Sequence, residues 1–203
     1  MKISFLNILA LTGLFFTVTA CSTMTGDSST PSSISPEQMQ TEKAQAKKTI
    51  MALGGGLKGE MKKAMKSGGP VAAIGVCNAQ AMPITAQVAK DHGVKISRTS
   101  LKLRNPKNAP SAWEEKTLHE FDARLAKGEK AMDIAKAEVV MIDGKKVFRL
   151  MKAIPTAEVC TKCHGEKLMP EVAKSLSELY PEDKATGYKV GQIRGAFSYQ
   201  KTL

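Results

Sequence analysis

Aromatic residues are scarce, with one Trp, three Tyr and six Phe among 203 residues. Acidic side chains are outnumbered, 19 against 30 Lys and Arg, so the formal net charge is +11. A charge of that size first suggests nucleic acid, but few aromatics are present to stack on bases and no recognition motif is visible, so nucleic acid is set aside as a partner. Solvated lysine faces, an acidic protein partner or an anionic membrane surface remain. Histidine is rarer still: His92, His119 and His164. Neither His92 nor His119 has a neighbouring cysteine, which leaves no second Cys/His pair for a zinc site. No internal repeat appears. The apolar run at residues 5–16 is broken by Asn7 and polar threonines, and falls short of the roughly twenty residues a membrane span needs.

That run instead reads as a secretory signal. One charge, Lys2, precedes it, and the small residues Val18-Thr19-Ala20 follow, directly before Cys21. Val-Thr-Ala-Cys resembles the bacterial lipobox, in which the cysteine is acylated and becomes the new first residue, so Cys21 is the expected lipid anchor. The alternative is an ordinary signal peptide with a free Cys21. By the same resemblance, Ser22 after the anchor favours the outer membrane, on its periplasmic side. Removing residues 1–20 takes away Lys2, leaving 183 residues and a charge of +10. Residues 21–36, rich in Gly, Ser, Thr and Pro, read as a flexible tether. Residues 37–203 then form one domain, large enough for a core without disulfide staples.

Four cysteines are present: Cys21, Cys77, Cys160 and Cys163. The last two stand in Cys160-Thr161-Lys162-Cys163-His164, the five-residue pattern for covalent attachment of haem through two thioether bonds. Positions i, i+3 and i+4 share one face of a helical turn, so both sulfurs can hold one edge of a macrocycle while His164 reaches iron as the proximal ligand. A redox dithiol, a zinc half-site or chance are the competing readings. With Cys21 on lipid and Cys160 and Cys163 on haem, Cys77 has no intramolecular partner. It is then a third functional thiol, a small buried hydrophobe, or half of an intermolecular disulfide.

Along the chain, Ser35 and Pro36 start a helix, with Ile50, Leu53, Leu57, Met61 and Met65 on one stripe. Gly54-Gly55-Gly56 predicts a bend in it, or else close packing against another backbone. Ser67-Gly68-Gly69 ends it, and Pro70 opens a second helix whose apolar face includes Ile74, Cys77, Ile84 and Val88, so Cys77 is expected to point inward. Pro83 predicts a kink or restart near Met82. His92, at the helix end, and His119, off the apolar stripe of its helix, are expected to be solvated, or for His119 bonded to a neighbour. Residues 94–103 read as a strand, residues 104–110 as a rigid turn-rich loop, and Ser111 to Glu114 as a capping box before a helix burying Leu118, Phe121 and Leu125. Residues 137–142 and 146–154 predict a hairpin around Asp143-Gly144. The haem motif follows on a short helix. Pro170 begins another, with Val172, Leu176 and Leu179 inward, and residues 192–200 alternate as a last strand. The order implies an α+β domain built on an antiparallel sheet flanked by helices.

Several stretches resemble the single-haem, PAS-like family of c-type haem proteins found in bacterial sensors and stand-alone periplasmic proteins. They are Gly69-Pro70 through Val76-Cys77, Arg98-Thr99-Ser100, Arg104-Asn105-Pro106, Asn108-Ala109-Pro110, Trp113-Glu114, Cys160 to Gly165, Tyr180-Pro181, Asp183 to Tyr188 and Arg194-Gly195-Ala196. Together they spread over residues 45–200. The resemblance implies a PAS-like fold, one covalent haem c, and iron ligated by a histidine and a cysteine sulfur, here His164 and Cys77. Met61, Met65 and Met82 are the rival ligands, since Met/His ligation is common in electron-carrying cytochromes c. Arg98 and Arg104 are candidates to fork onto the haem propionates. With both axial positions filled and no acid or base constellation beside the haem, the chain reads as a non-enzyme. The function expected is single-electron transfer or redox sensing with an unidentified protein partner. The alternative is a gas-binding module from which Cys77 departs so that nitric oxide or carbon monoxide binds.

Overall fold

The computed structural model describes residues 30–203, so the signal segment, Cys21 and most of the tether lie outside the described residues. The described elements are β1 (Thr30–Pro31), α1 (Pro36–His92), β2 (Lys95–Thr99), a 3-10 turn (Pro106–Asn108), α2 (Ala112–Ala126), β3 (Ala135–Ile142), β4 (Lys145–Pro155), α3 (Glu158–His164), α4 (Pro170–Leu179) and β5 (Ile193–Thr202). The five strands form one sheet in the order β1-β3-β4-β5-β2, every neighbouring pair antiparallel. The class is α+β, as expected.

Local chemistry explains most boundaries. Ser35 caps α1 by accepting from the Gln38 amide, and Ser111 and Glu114 form the reciprocal capping box of α2. In the hairpin, Ile142 faces Lys145 across a two-residue turn. Asp143 and Gly144 there take φ of 50° and 74°, the left-handed pair this turn requires. The helical pattern leaves helical geometry at Gly68 and at Gly69, whose φ is 68°, and resumes at Pro70. The chain thus folds back as a first arm, 36–67, and a second arm, 70–92.

Three expectations change here. Helical φ and ψ run unbroken through Gly54-Gly55-Gly56; a Cβ on Gly54 would sit 3.2 Å from the Phe197 ring and one on Gly56 3.3 Å from Ile84. These glycines let the first arm approach β5 and the second arm. Helical φ and ψ likewise continue through Pro83. The end of the presumed tether is not free, because Thr30 and Pro31 pair with Met141 and Val140. The open edge of β3 offers unpaired backbone groups that a passing chain can satisfy.

The sheet is covered on both faces. Ala46, Ile50 and Leu53 of the first arm pack on Ile96, Phe148, Leu150 and Tyr199. Trp113, Leu118 and Phe121 of α2 pack on Met151, Ala153 and Ala196 from the other side. The second arm meets α4 through Ile74, Val172, Leu176 and Tyr180. Leu179, expected inward, is 40 % exposed, and the turn after α4 puts Tyr180 there instead.

Tyr199 carries a testable consequence. It is fully buried beside Phe148, its hydroxyl lacks a partner among the described residues, and burial, with Glu42 adding, pushes its pKa up to about 12. The native state holds the phenol neutral while the unfolded chain ionises near pH 10. Its contribution to stability is therefore complete below pH 10 and is lost as pH rises from 10 through about 12. Urea midpoints measured across that window should fall further in the parent than in Tyr199→Phe. Near pH 7 the variant should be neutral or slightly stabilised, because an unpaired buried hydroxyl is removed.

Candidate functional site

The second arm of α1, the end of β2, the loop after it, α3 and the start of β5 converge on one cavity of about 290 Å3. Cys77, Arg98, Arg104, Cys160, Cys163 and His164 all line it, so the structure brings together every site residue expected from the sequence within the described part of the chain. The remaining wall is largely apolar, with Met61, Met65, Ile74, Met82, Ile154 and Val159 prominent.

The motif helix α3 starts where β4 ends at Pro155. Thr156 anchors that junction, donating its amide to the Gln192 carbonyl at 2.8 Å and accepting from the Gly191 amide at 2.9 Å. One helical turn then presents residues 160, 163 and 164 on the same side. Gly165 closes the helix, since a Cβ there would lie 2.5 Å from the Thr161 carbonyl oxygen.

His164 is set by a single contact. Its Nδ1 lies 2.7 Å from the Ala185 carbonyl oxygen, which can only accept, so Nδ1 carries the hydrogen and Nε2 keeps its lone pair. Arg194 Nε is 3.2 Å from the same Nδ1. Two hydrogen-bearing nitrogens cannot bond each other, so Arg194 there acts as a neighbouring charge. Burial above all, then Arg194 and Arg104, takes the His164 pKa down to about 2. A neutral imidazole with Nδ1 bonded to a carbonyl and Nε2 available is the form that ligates metal.

Behind His164, the segment 183–188 wraps the motif. Tyr188 and Gly187 donate their amides to the carbonyls of His164 and Gly165, each at 2.9 Å. Asp183 Oδ1 accepts the Ala185 amide at 2.8 Å, which aims the Ala185 carbonyl at His164. Arg104 ties these pieces together, its Nη2 donating to the Cys163 carbonyl at 2.6 Å and lying 2.9 Å from Asp183. Its Nε also donates to Asp183. Two of its three nitrogens are thus bonded within the protein, so Arg104 braces the site and keeps one nitrogen, Nη1, for the propionate role expected for it. Arg98 fits that role better: it is half-buried on the cavity wall with no hydrogen bond or ion pair among the described residues, and burial lowers its pKa.

Cys77 differs from expectation in its environment. It is exposed rather than packed in the core, and what it faces is the cavity. Burial by the cavity walls nevertheless pushes its thiol up, opposed by Arg98 and Arg104, and does the same to Cys163. Cys77, Cys160 and Cys163 are all free of disulfides. Among the described residues, no group of three or more His, Cys, Asp and Glu side chains is placed to hold a metal ion. His119 is exposed as expected, but His92 Nδ1 lies 2.9 Å from the buried Thr49 hydroxyl instead of being left to solvent.

Reading residue types missed Arg194, Tyr188 and Asp183. The period-two alternation put Arg194 on an outer strand face, with no local signal to distinguish it from a surface arginine. Its guanidinium instead donates to the Ser100 hydroxyl at 2.9 Å, and the Tyr188 ring stands edge-on to His164 with centroids 6.4 Å apart. These residues lie within the stretches that carry the family resemblance, and that was the available signal.

Comparison with known proteins follows this geometry. A family model described as Tll0287-like matches residues 29–201. Among solved structures, the crystal structure of the cyanobacterial heme-protein Tll0287 is similar with a TM-score of 0.57 and 22 % sequence identity, covering 84 % of this chain and 98 % of that one. No curated protein matches the chain.

Proposed function

The chain belongs to the Tll0287-like family, and on that premise we propose that it is a monohaem c-type protein, lipid-anchored through Cys21 on the periplasmic side of a bacterial outer membrane, that passes single electrons or reports redox state. One observation carries this reading: two motif thiols, a neutral imidazole with Nε2 available and a third thiol from a separate helix all line one largely apolar cavity. The residues fit a haem by their chemistry. Cys160 and Cys163 stand a helical turn apart for two thioether bonds, and His164 offers a nitrogen donor on the same side. Cys77 offers a sulfur donor, and Arg98 is free to pair with carboxylates. The antiparallel sheet with helices on both faces supports the PAS-like setting that the resemblance implies.

When bound, the haem supplies a one-electron iron couple. The protein's part is to hold it. The Ala185 carbonyl fixes the His164 tautomer, the Asp183–Arg104 brace fixes Ala185, and the apolar walls limit water. Were His164 and Cys77 both to ligate the iron, no position would be left for oxygen activation, and the reading is therefore of a non-enzyme.

The direct test is covalency. Expressed with a c-type haem maturation apparatus, the parent should keep its haem on a denaturing gel, and Cys160→Ala/Cys163→Ala should lose essentially all of it. A parent whose haem is absent or extractable would overturn the proposal. Rapid carbon monoxide binding by the ferrous parent would move the assignment to ligand sensing.

A further inference from the structure

We propose that the cavity mouth is a docking face for an acidic electron-transfer protein, a step that rests on the electron-transfer reading above. Met82 and Val159 line the cavity yet are 37 % and 44 % exposed, so the mouth has an apolar rim in contact with solvent. Five exposed lysines stand next in sequence to residues of the cavity wall; Lys102, beside Leu103, donates to the Thr186 carbonyl, and the other four are Lys62 beside Met61, Lys66 beside Met65, Lys107 beside Asn108 and Lys162 beside Cys163. On α1, positions 61 and 65 share one side of the helix and 62 and 66 the next, so the two lysines flank the two wall methionines. Thus three separate elements place positive charge around one opening. Against them stand Glu60, already bonded to Lys63 at 2.6 Å, and the exposed Glu158.

This arrangement combines an apolar patch over the redox site with like charges at its edge. The charges steer an oppositely charged partner, and the apolar patch desolvates on contact. An acidic protein face complements both. An anionic bilayer complements only the charge, and it would leave the mouth covered by lipid where a partner must approach for electron exchange.

The test uses the haem-loaded protein and reduced plant-type ferredoxin, an acidic protein of low potential. One electron passes from the reduced iron–sulfur cluster to ferric haem, giving oxidised cluster and ferrous haem. At low ionic strength, K62Q/K66Q/K107Q/K162Q should slow this second-order rate about tenfold or more, and the parent's rate should fall steeply with salt. The control K43Q/K47Q/K48Q/K145Q removes the same charge elsewhere. Lys43 lies 19 residues before Lys62 on the first arm, about 28 Å along the helix axis. The control should stay within about twofold of the parent. Equal losses in both sets, or none in the first, overturn the docking face. So does salt-sensitive pelleting with phosphatidylglycerol vesicles that needs the four mouth lysines while ferredoxin rates are unchanged; that result assigns the face to membrane. Haem absorption of each variant is recorded first. A parent without covalent haem overturns the function reading itself, whereas a loaded parent with unselective kinetics overturns the docking face alone.

Discussion

Replacing Cys77 by alanine should raise the midpoint potential of the haem by about 0.1–0.3 V, a sizeable part of the roughly 0.8 V that axial ligands span. The thiolate character of the low-spin ferric absorption and paramagnetic resonance spectra should disappear with it. A thiolate is a strong anionic donor that stabilises ferric over ferrous iron, so its loss favours reduction. Under the His/Cys reading alanine also vacates a coordination position, and the ferrous variant should bind carbon monoxide rapidly where the parent does not. The cavity makes the comparison necessary as well as possible, because Met61, Met65 and Met82 line it together with Cys77. Single replacement of each methionine by leucine conserves volume and removes only the sulfur donor. Under the His/Cys reading these three variants keep the parent spectrum. An unchanged spectrum in Cys77→Ala, with a changed one in any of the methionine variants, transfers the ligand to that methionine.

The largest effect on stability is expected at Arg104. Its side chain is 13 % exposed and that of Asp183 9 %, so the pair is screened little by solvent. Arg104→Met leaves the Asp183 carboxylate buried without its cation and strips the Cys163 carbonyl of its 2.6 Å donor. Breaking a buried pair from one side costs about 3–5 kcal/mol. For a chain of this size that lowers Tm by roughly 10 °C. Arg104→Lys restores the charge but not the fork, and should recover part of the loss. A double-mutant cycle with Asp183→Asn isolates the coupling. A loss below about 1 kcal/mol would show that the pair behaves as a surface bridge. Because Asp183 also aims the Ala185 carbonyl, haem attachment in the apo protein should become less efficient in step with stability.

Much of the fold was legible locally. Caps, turn residues and periodicity act within a few residues, and they correctly located the helix starts at Ser35 and Ser111, the hairpin at Asp143-Gly144 and the return of the chain at Gly69-Pro70. Where reading failed, a distant partner decided. The glycine triplet suggested a bend because glycine weakens an isolated helix, but Phe197 and Ile84 occupy the space its missing side chains leave. Cys77 sits on an apolar stripe, and the stripe does face other parts of the chain; at that level they enclose a cavity, which periodicity cannot distinguish from a core.

The sequence by itself determined which groups share one face of the motif helix. Two thiols and an imidazole at i, i+3 and i+4 share a helix face whatever surrounds them, because the period is a property of the backbone. With Cys160 and Cys163 in one motif and Cys21 at the expected anchor, it also marked Cys77 as the thiol left over. Only the tertiary structure decided which groups meet across the cavity. Arg98 faces it without a hydrogen bond or ion pair among the described residues, Arg104 is bonded to Asp183 and Cys163, and the carbonyl of Ala185, invisible to any reading of side chains, leaves His164 with Nε2 available. Those outcomes depend on contacts between residues 20 to 100 positions apart, and nothing in the local pattern of a chain states where its distant parts will stop.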